Sequence, residues 1–273
     1  MKATTLTLLG AAAGGLLAAS AQAQTTTVNQ GDLILTMRLT AGGAQEFQMD
    51  LGSASIYGSV SPNTTLIIAG FAQSDLNSLF GSGWYSSPSL SWSIVGSSGS
   101  FGAAGQPPYT LWASAAESSP GSPGLNPWAR QSLNAQAGTD SSIQGLYNGF
   151  AGLPLAASAN STMQADANPL SFYNASQDVN GAVGTFGAFY PSIEGLPSQV
   201  LDLYQMAFGT RAGGTIGQPG AWVGSFYFDP ATQALTYTTV PEPGAPVLGL
   251  VGGLLALVWR WRSGRRQPEV GIN

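Results

Sequence analysis

The chain of 273 residues contains neither cysteine nor histidine. Without cysteines there is no disulfide framework, so a stable fold depends on the burial of apolar side chains. The two absences also exclude zinc sites built from cysteine and histidine, thiol-attached haem, and nucleophiles activated by a histidine base. Carboxylate chemistry and oxygen-ligand metal sites are the options that remain.

Charged residues are scarce, at 8% of the chain against about 25% in ordinary soluble domains, while apolar residues make up 44%. Thirteen acidic and eight basic residues give a net charge of −5. Residues 24–240 hold eleven of the acids and no lysine, and their basic residues are Arg38, Arg130 and Arg211. This balance excludes an electrostatic nucleic-acid binder, which needs a basic stripe to displace the counterions of phosphates.

The N-terminal segment has the parts of a secretory signal peptide. Lys2 precedes an apolar run over residues 3–19, and Ala21 and Ala23 form an Ala-x-Ala cleavage site. We expect the export machinery and signal peptidase to process the chain after Ala23, so that the mature protein begins at Gln24. An uncleaved membrane helix is the alternative.

The C-terminal segment has three parts. Pro241 and Pro243 flank Glu242, and the two prolines keep this peptide extended, because each fixes its own φ and restricts the residue before it. The apolar run over residues 245–259 is about 22 Å long as a helix, which predicts a single short membrane helix. A cluster of four arginines follows, and the positive-inside rule places it in the cytoplasm. The cluster is Arg260, Arg262, Arg265 and Arg266.

This order of motif, membrane helix and arginine cluster closely resembles the PEP-CTERM sorting signal of bacterial envelope proteins, which an exosortase reads. The resemblance covers residues 241–266, about a tenth of the chain. It implies that Pro241, Glu242 and Pro243 are the recognition motif and that the arginine cluster stops transfer across the membrane. Residues 267–273 continue past the arginines, whereas the family usually ends there. A linker before a permanent membrane anchor is the alternative interpretation of the motif.

These signals divide the chain into four parts. We expect a signal peptide over residues 1–23, an exported domain over 24–240, the sorting signal over 241–266 and a short tail over 267–273. The precursor would be anchored in the inner membrane. The processed protein would lie in the cell envelope, at the cell surface or in the extracellular matrix.

Apolar and polar residues alternate along several short segments of the exported domain, which predicts half-buried β-strands. Residues 222–228 and 235–240 flank a turn that starts at Asp229, and this is the clearest hairpin in the chain. Glycine and proline number 37 and 17, and many lie in loops between these segments. The pattern predicts a mainly β fold, as a single sandwich-like domain with one or two short inserted helices. The other predicted strands are residues 33–39, 47–51, 66–68, 90–94, 109–112 and 200–208, the third of them buried. A helix is the alternative for residues 200–208, because Val200, Tyr204 and Phe208 also recur at helical spacing.

Three segments carry helix start signals. Ser74 caps a predicted short helix that Gly81 closes, and an Asn-Pro pair begins a predicted helix over residues 126–137. Ser141 and Gln144 form a capping box before a third helical pattern, in which apolar residues recur every three or four positions.

Catalysis without histidine or cysteine requires paired carboxylates, as in glycoside hydrolases, or a Ser-Lys pair. The mature chain has no lysine, which removes the second option. Glu46 with Asp50, or Glu194 with Asp202, would face each other only by accident of folding. We therefore predict no enzymatic activity and no cofactor, with a carboxylate-dependent glycoside hydrolase as a less favoured interpretation.

Residues 178–181, Asp-Val-Asn-Gly, resemble part of a calcium loop. The downstream acidic ligand of an EF-hand is missing, and a turn closed by the Asp178 side chain explains the same residues. We predict a turn here and no metal site.

Aromatic rings supply the remaining candidate site. Trp92 and Trp222 alternate with other residues in predicted strands, which favours burial in the core. Trp84 and Tyr85 lie in a predicted loop, where an exposed ring can stack on a sugar. If the protein binds carbohydrate, we expect Trp84 and Tyr85 to contact it.

Together these features favour an exosortase-sorted protein of the cell envelope or extracellular matrix, with a structural or adhesive role. A carbohydrate-binding surface module, with exopolysaccharide as its partner, is the second interpretation. The partners expected for sorting are the export machinery, signal peptidase and exosortase.

Overall fold

The structure is a computed structural model that describes residues 24–41, 45–117, 128, 131–207 and 220–239. The predicted signal peptide with its cleavage site lies outside the described residues, and so do the predicted sorting motif, membrane helix and arginine cluster. No helix among the described residues is both long and apolar enough to cross a membrane.

Nine strands and four helices make up the described part of the chain. The strands are β1 (Asp32–Leu39), β2 (Glu46–Ser53), β3 (Thr65–Ile67), β4 (Leu90–Ser97), β5 (Leu111–Glu117), β6 (Ser161–Gln164), β7 (Val200–Met206), β8 (Ala221–Phe228) and β9 (Leu235–Thr239). The helices are α1 (Ala54–Gly58), α2 (Gln73–Phe80), α3 (Leu133–Phe150) and α4 (Phe172–Ala175), and a 3₁₀ turn occupies Trp84–Ser86.

All nine strands belong to one antiparallel sheet, in the order β3-β9-β8-β7-β5-β4-β1-β2-β6. The mainly β character predicted from the sequence is confirmed. In place of the two facing sheets of a sandwich, a single sheet curls around its own core. Register shifts after Asp32 in β1 and between Leu203 and Tyr204 in β7 add local twist, which bends a sheet in this way.

Ring contacts across the sheet show how far it curls. Two strands separate β4 from β8, which corresponds to about 14 Å in a flat sheet. Trp92 on β4 and Phe228 on β8 nevertheless have ring centroids 4.6 Å apart. Phe71 contacts both Phe228, at 5.5 Å, and Phe47 on β2, at 6.4 Å. One face of the sheet is therefore an enclosed interior.

The segment around α2 joins the two ends of the sheet. Asp75 on α2 is buried, and its carboxylate accepts hydrogen bonds from the backbone N–H groups of Ala157, at 3.0 Å, and Ser158, at 2.6 Å, just before β6. The carbonyl of Gly70, just after β3, accepts from the Ala159 N–H at 2.7 Å. We call these three hydrogen bonds the edge clasp, because they link the outermost strands β3 and β6.

Both faces of the sheet are buried, and each carries its own apolar cluster. The inner cluster fills the enclosed interior, where α1, α2 and the 3₁₀ turn contribute Tyr57, Leu76 and Trp84. The outer cluster packs the opposite face against α3 and α4, which contribute Ile143 and Phe172. Burial on both faces explains why β4 is buried along its whole length.

The strand predictions depend on local alternation, and most of them hold. The hairpin predicted around Asp229 is confirmed, because β8 and β9 pair across it. The strand predicted over residues 200–208 is confirmed as β7. The predicted burial of residues 66–68 is wrong, because β3 is an edge strand on which Ile67 is 74% exposed.

The first helix prediction is right about where the helix ends. Gly81 terminates α2 with a φ of +84°, in the left-handed region that glycine adopts readily. The cap at the other end is Ala72 rather than Ser74, and no side chain bonds to that terminus.

The predicted capping box at Ser141 is wrong, because that residue lies inside α3. Its hydroxyl donates to the carbonyl of Ala137, one turn earlier, at 3.0 Å. Ser132 is the actual cap, and its side chain accepts from the Ala135 N–H. The Asn-Pro pair at 126–127 lies outside the described residues.

Candidate functional site

Trp84 is a core residue, with 0% of its surface exposed. Its ring packs edge-on against Phe228, with centroids 4.9 Å apart, and against Tyr85 at 5.9 Å. The prediction that Trp84 is exposed is wrong, because the 3₁₀ turn folds its ring into the inner cluster. Tyr85 is half-buried against the same cluster. A sugar therefore has no access to the Trp84 ring in this structure.

The two tryptophans predicted to be buried differ from each other. Trp92 is fully buried, as predicted. Trp222 is only partly buried, because it lies near the start of β8, at one end of the sheet. Its indole N–H donates to the Gly224 carbonyl at 3.0 Å, which fixes the orientation of the ring. Trp222 packs against the edge of the outer cluster, and among the described tryptophans it is the one that is partly open at a surface.

The carboxylate pairs considered from the sequence have other partners. Glu46 and Asp50 lie four residues apart on β2, about 13 Å along an extended strand. Glu194 forms an ion pair with Arg38 at 2.6 Å, whereas Asp202 accepts a hydrogen bond from a serine on β8 at 2.5 Å. Neither pair is arranged as two carboxylates across a cleft.

Asp178 closes a turn, as predicted. Its Oδ1 accepts hydrogen bonds from the N–H groups of Asn180 and Ala182, each at 2.8 Å. Gly181 has a φ of +83°, which a glycine adopts without strain. Hydrogen bonds from the Tyr190 hydroxyl and from Ala182 hold the pKa of Asp178 below its ordinary value. This loop has the chemistry of an Asx turn.

A groove lies at one end of the curled sheet, where α1 meets β7 and β8. It consists of two adjoining cavities of about 290 Å³ and 210 Å³, which share Gly58, Gln205 and Val223 in their walls. Its rings and polar side chains include Tyr57, Gln106, Trp112, Gln205, Trp222 and Thr239. We refer to these two cavities together as the groove.

The groove combines aromatic rings with amides and hydroxyls, and none of the described residues that line it is charged. Gln205 Nε2 donates to Gln106 Oε1 at 2.6 Å, which holds the two amides side by side. Burial raises the pKa of Tyr57, so its hydroxyl stays neutral, and it donates to the Leu51 carbonyl at 2.8 Å. Such walls suit an uncharged ligand with an apolar face and several hydroxyl groups, as in a neutral sugar.

Sequence reasoning missed the groove, although it considered one of its residues. Gln106 lies in the loop before β5 and Gln205 on β7, and no local signal marks either of them. Trp222 lies in an alternating pattern of the kind that predicts burial. Its side chain is nevertheless partly exposed, because it lies near the start of β8. The groove exists because the topology brings distant segments to one end of the sheet.

A second polar cluster lies on the outer face of β1 and β2. Glu46 on β2 is 0% exposed, and its carboxylate accepts from the N–H groups of Phe172, at 2.5 Å, and Tyr173, at 3.0 Å. Gln48 donates to the same carboxylate. Burial raises the pKa of Glu46 to about 7 despite these three donors. No three acidic side chains of the described residues come together as a metal site.

Comparisons of the chain with protein-family models, with curated proteins and with solved structures gave no match. A proposal of function therefore depends on the groove and on the sequence patterns at the two ends of the chain.

Proposed function

We propose that the protein is an exported component of the cell envelope or extracellular matrix, with an adhesive role through neutral polysaccharide bound in the groove. The signal-peptide pattern over residues 1–23 and the sorting-signal pattern over residues 241–266 support export and processing by an exosortase. The uncharged groove with Trp222 in its wall is the observation that carries the adhesive role.

The charge of the chain favours a neutral ligand. Residues 24–240 contain eleven acidic residues and three arginines, so the net negative charge of this part of the chain disfavours an anionic polysaccharide. A neutral sugar avoids this repulsion. Its apolar face stacks on the Trp222 ring, and its hydroxyls bond the amides of Gln106 and Gln205.

A purely structural role, without a ligand, is the second candidate. The edge clasp and the burial of both sheet faces favour it, because they make the domain a rigid building block. The two candidates differ in whether changes in the groove alter attachment to polysaccharide.

Trp222→Ala is expected to weaken retention by the producing organism's own neutral polysaccharide about ten-fold, because the variant loses the stacking surface. Affinity electrophoresis of the purified protein, in gels with and without the polysaccharide, measures this change. Gln205→Ala should weaken retention as well, since it removes an amide from the wall that both cavities share.

Tyr190→Ala is the matched control for this experiment. Tyr190 is an exposed aromatic residue, 55% accessible, and it does not line either cavity of the groove. Its removal should leave retention unchanged. Equal retention of the Trp222 and Tyr190 variants would exclude the adhesive role of the groove and favour the purely structural one.

The C-terminus of the mature protein is expected to lie near residues 241–243, because an exosortase would separate the membrane helix from the exported domain. Mass spectrometry of the protein recovered from the cell surface measures this end directly. Glu242→Ala should leave the chain unprocessed if the motif is recognised. A mature wild-type chain that still contains Arg266 would instead indicate a permanent membrane anchor.

A further inference from the structure

Four buried polar side chains lie close together in the sheet on β2, on β6 and just after β6. Glu46 and Gln164 are cross-strand partners, and Gln48 donates from its Nε2 to the Glu46 carboxylate. Asp166 follows β6 by two residues and is close enough for its charge to act on Glu46. The exposed fraction is 0% for Glu46 and Gln48, 3% for Gln164 and 8% for Asp166. We call these four side chains the β2–β6 chamber.

Several polar atoms of the chamber have no hydrogen-bond partner among the described residues. They are the Oε1 atom of Gln48 and both the Oε1 and Nε2 atoms of Gln164. Rotating the Gln164 amide by 180° gains nothing, because both of its polar atoms are unpaired. Buried polar atoms without partners destabilise a fold, so an occupant that bonds to them, whether a water or an ion, would stabilise this one.

The charge in the chamber favours a cation as that occupant. Glu46 and Asp166 are its two carboxylates. Arg38, on the neighbouring strand β1, is already paired with Glu194 at 2.6 Å and lies 5.6 Å from the centroid of the Tyr173 ring. Burial raises the pKa of Glu46, with a smaller contribution from Asp166, and a cation beside the carboxylate would offset both effects.

The hydrogen bonds around Glu46 leave room for one further ligand. Its Oε1 accepts from the Phe172 N–H and from Gln48, which uses both lone pairs of that oxygen. Its Oε2 accepts from the Tyr173 N–H alone. The second lone pair of Oε2 therefore remains to coordinate a cation, while the other bonds hold the carboxylate in place.

We propose that the β2–β6 chamber binds a Ca²⁺ ion through the side-chain oxygens of Glu46, Gln48, Gln164 and Asp166. Carboxylate and amide oxygens are the ligands that Ca²⁺ takes, whereas Mg²⁺ keeps several waters and requires octahedral geometry. Because amides supply two of the four ligands, the site does not need the group of three acids that the described residues lack. Two carboxylates place the dissociation constant at about 10⁻⁴–10⁻³ M, the range of extracellular calcium modules.

The first test compares thermal unfolding of the purified protein in 10 mM CaCl₂ and in EDTA. Ca²⁺ should raise the Tm of the wild type by about 3–8 °C, because a ligand that binds the folded state stabilises it. Gln164→Met should abolish this rise, since it removes one ligand oxygen at similar volume. In EDTA, the variant should unfold at the same temperature as the wild type or higher, because an unpaired buried amide is gone.

Asp178→Asn is the matched control, because Asp178 lies in residues 178–181, whose sequence resembles part of a calcium loop. It should keep the full response to Ca²⁺. Terbium luminescence, excited through the protein's aromatic rings, provides a binding measurement that does not depend on stability, and Gln164→Met should reduce it at least ten-fold. The proposal is overturned if the wild type does not respond to Ca²⁺, if Gln164→Met keeps the response, or if Asp178→Asn loses it.

Discussion

Asp75→Ala should lower the free energy of unfolding by about 3–4 kcal/mol, because it removes two of the three hydrogen bonds of the edge clasp. The Asp75 carboxylate is buried and is the acceptor for the N–H groups of Ala157 and Ser158. Removal of the carboxylate leaves two buried donors unpaired, at about 1–3 kcal/mol each, offset in part by water that enters the gap. Unfolding in urea, followed by tryptophan fluorescence, measures the loss.

Two further substitutions on α2 define the origin of this effect. Asp75→Asn keeps one acceptor oxygen and should lose about half as much stability as the alanine variant. Ser78→Ala, on the exposed face of the same helix, should change stability by less than about 0.5 kcal/mol. A result in which Asp75→Ala behaves like Ser78→Ala would show that the clasp does not contribute to stability.

Gly149→Ala is expected to destabilise the protein by about 2–3 kcal/mol, in contrast to the usual effect of alanine in a helix. Gly149 is buried in α3, and a Cβ at this position would overlap the Cβ and the carbonyl of Leu170. Because backbone atoms form part of the obstacle, the neighbouring loop must move to admit the methyl group. Thermal and urea unfolding measure the cost.

Gly138 provides the matched control in the same helix. It is exposed, and a Cβ there would meet no atom within 4 Å. Gly138→Ala should therefore stabilise the protein by about 0.5–1 kcal/mol through the higher helix propensity of alanine. The two variants should change stability in opposite directions, which separates the steric cost of a Cβ next to Leu170 from the helix propensity of alanine. Similar values for both variants would contradict the close approach of α3 to Leu170.

The strands were predictable because their signal is local. Alternation along residues 33–39 and 222–228 places apolar side chains on one face of each strand, whatever lies beside it. The order of strands in the sheet and its curl were not predictable, since both depend on pairing between residues distant in sequence. β7 pairs with β5 and β8, and a register shift that bends it leaves no mark in its composition.

The candidate sites were harder to predict than the fold. Trp84 has small and polar neighbours, as in an exposed loop, yet its burial is decided by Phe228, far along the chain. Gln106 and Gln205 become a pair of groove amides only after β5 and β7 have paired. Glu46 lies just before the strand predicted over residues 47–51, where no local pattern predicts burial, and the packing of α4 over it encloses the carboxylate.

The brevity of the outermost strands affects how copies of this protein can associate. β3 has three residues and β6 has four, too few to act as templates for a strand from a neighbouring molecule. Addition of strands edge to edge, which produces amyloid-like fibres, is therefore disfavoured. Even at the high local concentration of a matrix, molecules should meet through side chains and shared ligands, and polymers built on a continuous backbone ladder should not form.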